Sequence, residues 1–93
     1  MTNIQISDEY IKLGQALKLA ALVSSGIEAK VVIQDGKVKV NGMTDTRRGK
    51  KLYPSDVFEY NGQQIRVEST GEHKRWRLIL LKLAVLEIMT AQN

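Results

Sequence analysis

The sequence predicts an α+β domain in which two helices precede a small, mostly antiparallel sheet. Three observations carry this. Apolar residues recur at spacings of three and four from Ile11 to Leu22. Ser25 followed by Glu28 has the form of a capping box, and Gly36 suits the left-handed position that stops a helix. The alternating Lys37-Val38-Lys39-Val40 and two Asn-Gly dipeptides then mark strands and tight turns. Helices in one block and strands in another give α+β rather than an alternating α/β fold.

Ile4-Gln5-Ile6 reads as a short edge strand. Ser7 or Asp8 offers an N-cap, with Asp8 and Glu9 where a helix dipole favours negative charge, so the first helix is expected to begin there. Its apolar stripe is Ile11, Leu13, Leu17, Leu19, Ala20 and Leu22, and it is expected to end near Val23. Gly14 costs roughly 1 kcal/mol of helix propensity against alanine, which marks it as a place where another backbone packs closely. Residues 24 to 36 read as a shorter helix with Ile27, Val31, Val32 and Ile33 on its apolar face, although Val31 to Ile33 by propensity suit a strand equally. After the strand at 37 to 40, Asn41-Gly42 turns the chain back through Met43 to Thr46. Pro54-Ser55-Asp56 is a second turn, and residues 57 to 68 form a hairpin about Asn61-Gly62 with Val57, Ile65 and Val67 facing inward.

The 93 residues suffice for one core, and a division into a domain at 1–72 and an extension at 73–93 is expected. Between Leu78 and Met89 only Lys82 and Glu87 are charged. That run is shorter than the roughly 20 residues needed to span a bilayer, and it is expected to be an apolar helix that buries against its own sheet, a second copy or a membrane surface. Residues 1 to 7 have neither a positive n-region nor a continuous apolar stretch, so cytoplasmic residence is expected.

Net charge is +4, distributed unevenly. Residues 24 to 51 carry a net +4 and residues 52 to 72 a net −3. Arg47, Arg48, Lys50 and Lys51 lie within five positions around Gly49, a crowding that is unfavourable unless solvent, salt or an anionic partner screens it. With no cysteine, thiolate metal sites and thiol nucleophiles are excluded, and the single His73 has no second histidine to complete a metal or nucleophile set. Catalysis, a cofactor and a metal are therefore not expected.

Several motifs run in one order: Leu22 to Gly26, Glu28-Ala29-Lys30, Gly36 to Gly42, Arg47 to Leu52, and Ser55-Asp56-Val57. Together they resemble the S4-type RNA-binding domain, in its small stand-alone bacterial YaaA-like form, over roughly residues 9 to 68. The resemblance implies an S4-like (αL) fold and binding of RNA by the end of the first helix, the start of the second and the basic loop beside them. Ser55 and Ile27 depart from the pattern, standing where the family usually has glycine. The tail beyond Glu72 has no counterpart in the short members.

Physical chemistry fits each implied residue. Ser24, Ser25 and the amides of Gly26 and Ile27 lie at a helix N-terminus, where donors and dipole favour a phosphate, and Lys30 follows one turn on. Arg47 and Arg48 can grip phosphates bidentately while Lys50 and Lys51 act as point charges; Lys18 on the first helix adds to them, and Lys12, Lys37 and Lys39 are weaker candidates. Tyr10, Tyr53, Phe58, Tyr60 and Trp76 form no clustered stacking platform in the sequence, which favours recognition of a folded ribosomal or transfer RNA by its backbone. The competing reading is a protein-interaction or DNA-associated module that forms a homodimer through the apolar C-terminal helix.

Overall fold

The computed structural model describes residues 1–70. Its elements are β1 (Thr2–Ile6), β2 (Ile11–Lys12), α1 (Leu13–Leu19), α2 (Gly26–Gln34), β3 (Val38–Val40), β4 (Met43–Thr44), β5 (Lys51–Leu52), β6 (Val57–Tyr60) and β7 (Gln63–Ser69). Five strands form one sheet in the order β1-β7-β6-β3-β4, and β2 pairs with β5 in a separate two-stranded ribbon. Only the β1–β7 pair of the large sheet is parallel. The α+β expectation holds with a mostly antiparallel sheet. The expected C-terminal apolar helix lies outside the described residues.

Both Asn-Gly dipeptides build the turns expected of them. Asn41 and Gly42 have φ of 52° and 83°, and Asn61 and Gly62 have 56° and 79°. Positive φ at both central residues is the geometry whose twist matches two antiparallel strands, joining Val40 to Met43 and Tyr60 to Gln63. The second hairpin corrects one inward-facing assignment. Phe58 lies opposite both Val40 and Ile65 and is fully buried, whereas Val57 is half-buried on the other face. The register with β3 decides between two adjacent apolar residues that sequence alone treats alike.

Helix α2 follows its caps. The Ser25 hydroxyl accepts from the Glu28 amide at 3.1 Å, and Gly36 has φ of +74°. Lys37 N–H donates to the Val32 carbonyl and Gly36 N–H to the Ile33 carbonyl, closing a Schellman motif. Its buried face is Ala29, Val32 and Ile33; Ile27 is 78% exposed and Val31 51%, so neither belongs to the core expected of them.

Helix α1 is shorter than expected at both ends. Ile11 and Lys12 are extended and pair with Leu52 and Lys51, so the helix begins at Leu13 rather than at Asp8. Lys12, its N-cap, caps nothing through its side chain. The first two helical amides are instead satisfied by the basic loop: Leu13 N–H donates to the Lys50 carbonyl at 2.8 Å and Gly14 N–H to the Arg48 carbonyl at 3.1 Å. At the other end Ala21 takes φ of 57°, and Leu22 and Ala21 donate to the carbonyls of Leu17 and Lys18, both at 3.0 Å. This is the same Schellman closure as in α2, made with alanine where glycine is usual.

One apolar cluster joins these pieces. Leu13, Ala16 and Leu17 of α1, Ala29 and Ile33 of α2, Val38, Leu52, Phe58 and Val67 are all fully buried, with Ile4 and Ile6 of β1 at its margin. No helix among the described residues is long and apolar enough to cross a membrane.

Candidate nucleic-acid interface

Docking of the basic loop onto α1 creates a groove of about 370 Å³ lined by Lys12, Gly14, Gln15, Lys18, Gly26, Ala29, Arg48 and Gly49. It gathers one side of α1 from its N-cap Lys12 to Lys18, the first turn of α2 and the middle of the loop. Of the residues chosen from sequence, Lys18, Gly26 and Arg48 line it. Two of its glycines lie in opposite surroundings. A Cβ on Gly14 would lie 2.8 Å from Cγ of Arg48, while a Cβ on Gly26 would meet nothing within 4 Å. Gly14 thus marks a close approach, as its place in the helix suggested, and Gly26 leaves the groove open at the start of α2.

Each remaining candidate has its own environment. Arg47 is held by Asp45 in a two-point pair, Nε to Oδ1 at 3.1 Å and Nη2 to Oδ2 at 2.8 Å, with its amide also donating to Oδ1 at 2.9 Å. Asp45 is the sheltered partner, its side chain 11% exposed against 68% for Arg47. The hydrogen bond from the guanidinium holds the Asp45 carboxyl below its ordinary range, and the same contact raises Arg47. Lys50 is half-buried, with its carbonyl on α1 and its amide donating to the Arg47 carbonyl at 3.2 Å. Lys51 lies on β5 with its ammonium 4.7 Å from the centre of the Tyr10 ring. Lys30 is exposed on α2.

Both serines are engaged within the chain. The Ser24 amide and hydroxyl donate to Glu28 Oε2 at 3.0 and 2.8 Å, and these bonds, the backbone one first, pull the Glu28 carboxyl below its usual value. Ser25 accepts at the helix start, so the first-turn donors it does not cap are the amides of Gly26 and Ile27, both exposed.

The turns on either side of the basic loop are tied together. Asn41 Nδ2 donates to Asp56 Oδ1 at 3.1 Å, Val57 N–H donates to Asn41 Oδ1 at 2.9 Å, and Tyr53 N–H donates to Asp56 Oδ2 at 2.8 Å. The loop therefore leaves and re-enters the fold at one point, fixed by Asn41 and Asp56. Gly49 has no left-handed backbone and open space at its α-carbon, so the bend is set by these anchors and by α1 rather than by glycine freedom.

Comparison with known proteins gives the family. The S4 domain family model matches residues 4–68, spanning most of β1, both helices, the basic loop and most of β7. The chain belongs to the S4 domain family. Within it, this S4 domain is 49% identical over 59 residues to the probable ribosome maturation protein RlbA of Bacillus subtilis, covering 63% of this chain and 83% of that protein. It is 33% identical over 58 residues to the putative RNA-binding protein YbcJ of Escherichia coli, with 62% and 83% covered. Among solved structures, that of E. coli YbcJ, described as revealing an αL motif involved in RNA binding, superposes with a TM-score of 0.59 at 29% identity, covering 73% of this chain and 87% of that one. The 30S ribosomal protein S4e of Thermoplasma acidophilum superposes with a TM-score of 0.50 at 28% identity, covering 63% of this chain and 31% of that one.

The sequence reading held Lys12 as a weaker candidate and missed Gln15 and the Tyr10–Tyr53 pair. Lys12 and Gln15 line the groove together with Arg48, where the β2–β5 ribbon and the late start of α1 place them. Tyr10 and Tyr53, 43 positions apart in the sequence, have ring centres 5.9 Å apart. The signal for both lay in matching Tyr-Ile-Lys with Lys-Leu-Tyr, which read as an antiparallel pair place lysine beside lysine and tyrosine beside tyrosine.

Proposed function

We propose that this chain is a non-catalytic RNA-binding protein that recognises a structured ribosomal or transfer RNA in ribosome assembly or maturation. The carrying observation is the groove that brings Lys18, the start of α2 at Gly26, and Arg48 to one place, within the stretch matched by the S4 domain family. Three cations, Lys12, Lys18 and Arg48, and the uncapped amides of a helix start are suited to successive phosphate oxygens, which favours contact with a folded backbone over base edges. Arg47, Lys30, Lys50 and Lys51 are further candidate phosphate contacts outside the groove lining, with Ser24 and Ser25 shaping the helix start. The ribosome maturation name of one relative and the RNA-binding name of another support the same reading.

Affinity for a structured RNA hairpin, a single-stranded RNA and a DNA duplex, measured at two salt concentrations, tests this. Preference for the hairpin with a marked loss at higher salt is expected, because phosphate contacts release counterions. Equal affinity for all three would remove shape recognition, and no binding at low salt would remove the RNA reading altogether.

A further inference from the structure

The ribbon of β2 and β5 carries a surface beyond the groove. Its ladder pairs Ile11 with Leu52 and Lys12 with Lys51, and one further step sets Tyr10 opposite Tyr53. Leu52 is fully buried and Ile11 packs against the same core, so alternation places Tyr10, Lys12, Lys51 and Tyr53 together on the outward face. The rings meet at 52°, and the Lys51 ammonium lies over Tyr10. Tyr53 is 45% exposed, the more open ring of the pair. This face adjoins the groove: Lys12 lines it, and Tyr10 lines a neighbouring recess of about 450 Å³ that shares Gln15 and Lys18 with it.

An exposed ring in tilted contact with a second ring, with two lysines on the same face of the ribbon, has the chemistry that holds a nucleobase and its flanking phosphates. The ring supplies a stacking face, and the lysines supply charge at backbone distance. A paired duplex offers no free base face, so such a surface serves only an unpaired nucleotide. We propose that Tyr53, braced by Tyr10 and flanked by Lys12 and Lys51, stacks one unpaired base next to the RNA segment held in the groove. The ligand class is then a duplex interrupted by a bulge or bordered by a loop. The proposal rests on the RNA-binding reading above and sharpens it.

Two RNA hairpins of equal length, one fully paired and one with a single bulged fluorescent purine analogue, separate the two readings. The wild-type chain is expected to favour the bulged hairpin by about five- to a hundredfold and to change the analogue's fluorescence, as stacking on one aromatic ring implies. Tyr53→Leu keeps apolar bulk at an exposed position and is expected to lose that preference and the fluorescence change while holding the paired hairpin as before. Tyr53→Phe is expected to keep both. Equal, salt-dependent binding of the two hairpins by wild type, or an undiminished preference in Tyr53→Leu, would overturn stacking and leave RNA binding intact. Binding of neither hairpin would overturn both readings.

Discussion

Gly14 and Arg48 are in contact along both backbone and side chain: the Gly14 amide donates to the Arg48 carbonyl at 3.1 Å, and Arg48 Cγ occupies space a Cβ on residue 14 would need, 2.8 Å away. The start of α1 and the centre of the basic loop are thus one structure. Cγ lies near the backbone end of arginine, so relief requires Arg48 to change rotamer or the loop to shift.

Gly14→Ala is therefore expected to act on binding more than on stability. The alanine gains about 1 kcal/mol of helix propensity, which offsets part of the clash, and the melting temperature is expected to move by less than about 4 °C. RNA affinity is expected to fall, with a salt dependence shallower by about one phosphate contact. Thermal melting and binding at two salt concentrations read the two effects separately.

The two adjacent arginines are expected to differ. Arg48 lines the groove, whereas Arg47 is already paired with Asp45. Arg48→Ala is expected to reduce the salt slope by about 1. Asp45→Asn keeps an acceptor for the Arg47 amide while removing the negative charge, and is expected to tighten RNA binding about two- to fivefold at low salt. Because pairing lowers the folded pKa of Asp45, its contribution to stability is present above the ordinary carboxylate range and lost as pH falls through the lowered value. Asp45→Asn removes that acid-side dependence, which melting curves at acid and neutral pH can read.

Strained backbone at two non-glycine positions predicts stabilising substitutions. Ala21 ends α1 at φ 57°, and Ser55 has φ 82° after Pro54 in a turn closed by the Asp56 amide on the Tyr53 carbonyl at 3.0 Å. Left-handed backbone costs an L-residue about 1–2 kcal/mol, and glycine avoids it. Ala21→Gly and Ser55→Gly are each expected to raise stability by about 1 kcal/mol, or roughly 4–8 °C in a domain of this size, without altering RNA affinity. A lower melting temperature for either would mean that the left-handed residue is not a cost.

These same positions show what the sequence makes legible. Helix α2 announces itself because Ser25, Glu28 and Gly36 are local signals read within one turn of where they act. The two Asn-Gly turns do likewise. Helix α1 does not, because its first amides are satisfied by carbonyls more than thirty positions away and its last turn is closed by an alanine in a glycine's conformation. The groove was half visible: Lys18, Gly26 and Arg48 carry their charge or bareness in the sequence, but Lys12 and Gln15 need the ribbon to place them. Likewise, exposure of Ile27 and Val31 depends on which side of α2 meets the core, a choice their spacing does not make.

The start of α2 allows cap and ligand roles to be told apart. Ser25 holds the Glu28 amide, and Glu28 in return accepts from Ser24. Ser25→Ala is expected to cost about 1 kcal/mol of stability through the lost cap, with RNA affinity little changed because the uncapped amides of Gly26 and Ile27 are left in place. Ser25→Asp restores the cap and the dipole interaction, so stability should return, but it sets a negative charge beside Gly26 at the edge of the groove. RNA binding by that variant is expected to weaken most at low salt, where repulsion between carboxylate and phosphate is least screened. Full binding by a stable Ser25→Asp protein would move the phosphate contact away from the start of α2 and leave the basic loop and α1 to carry it.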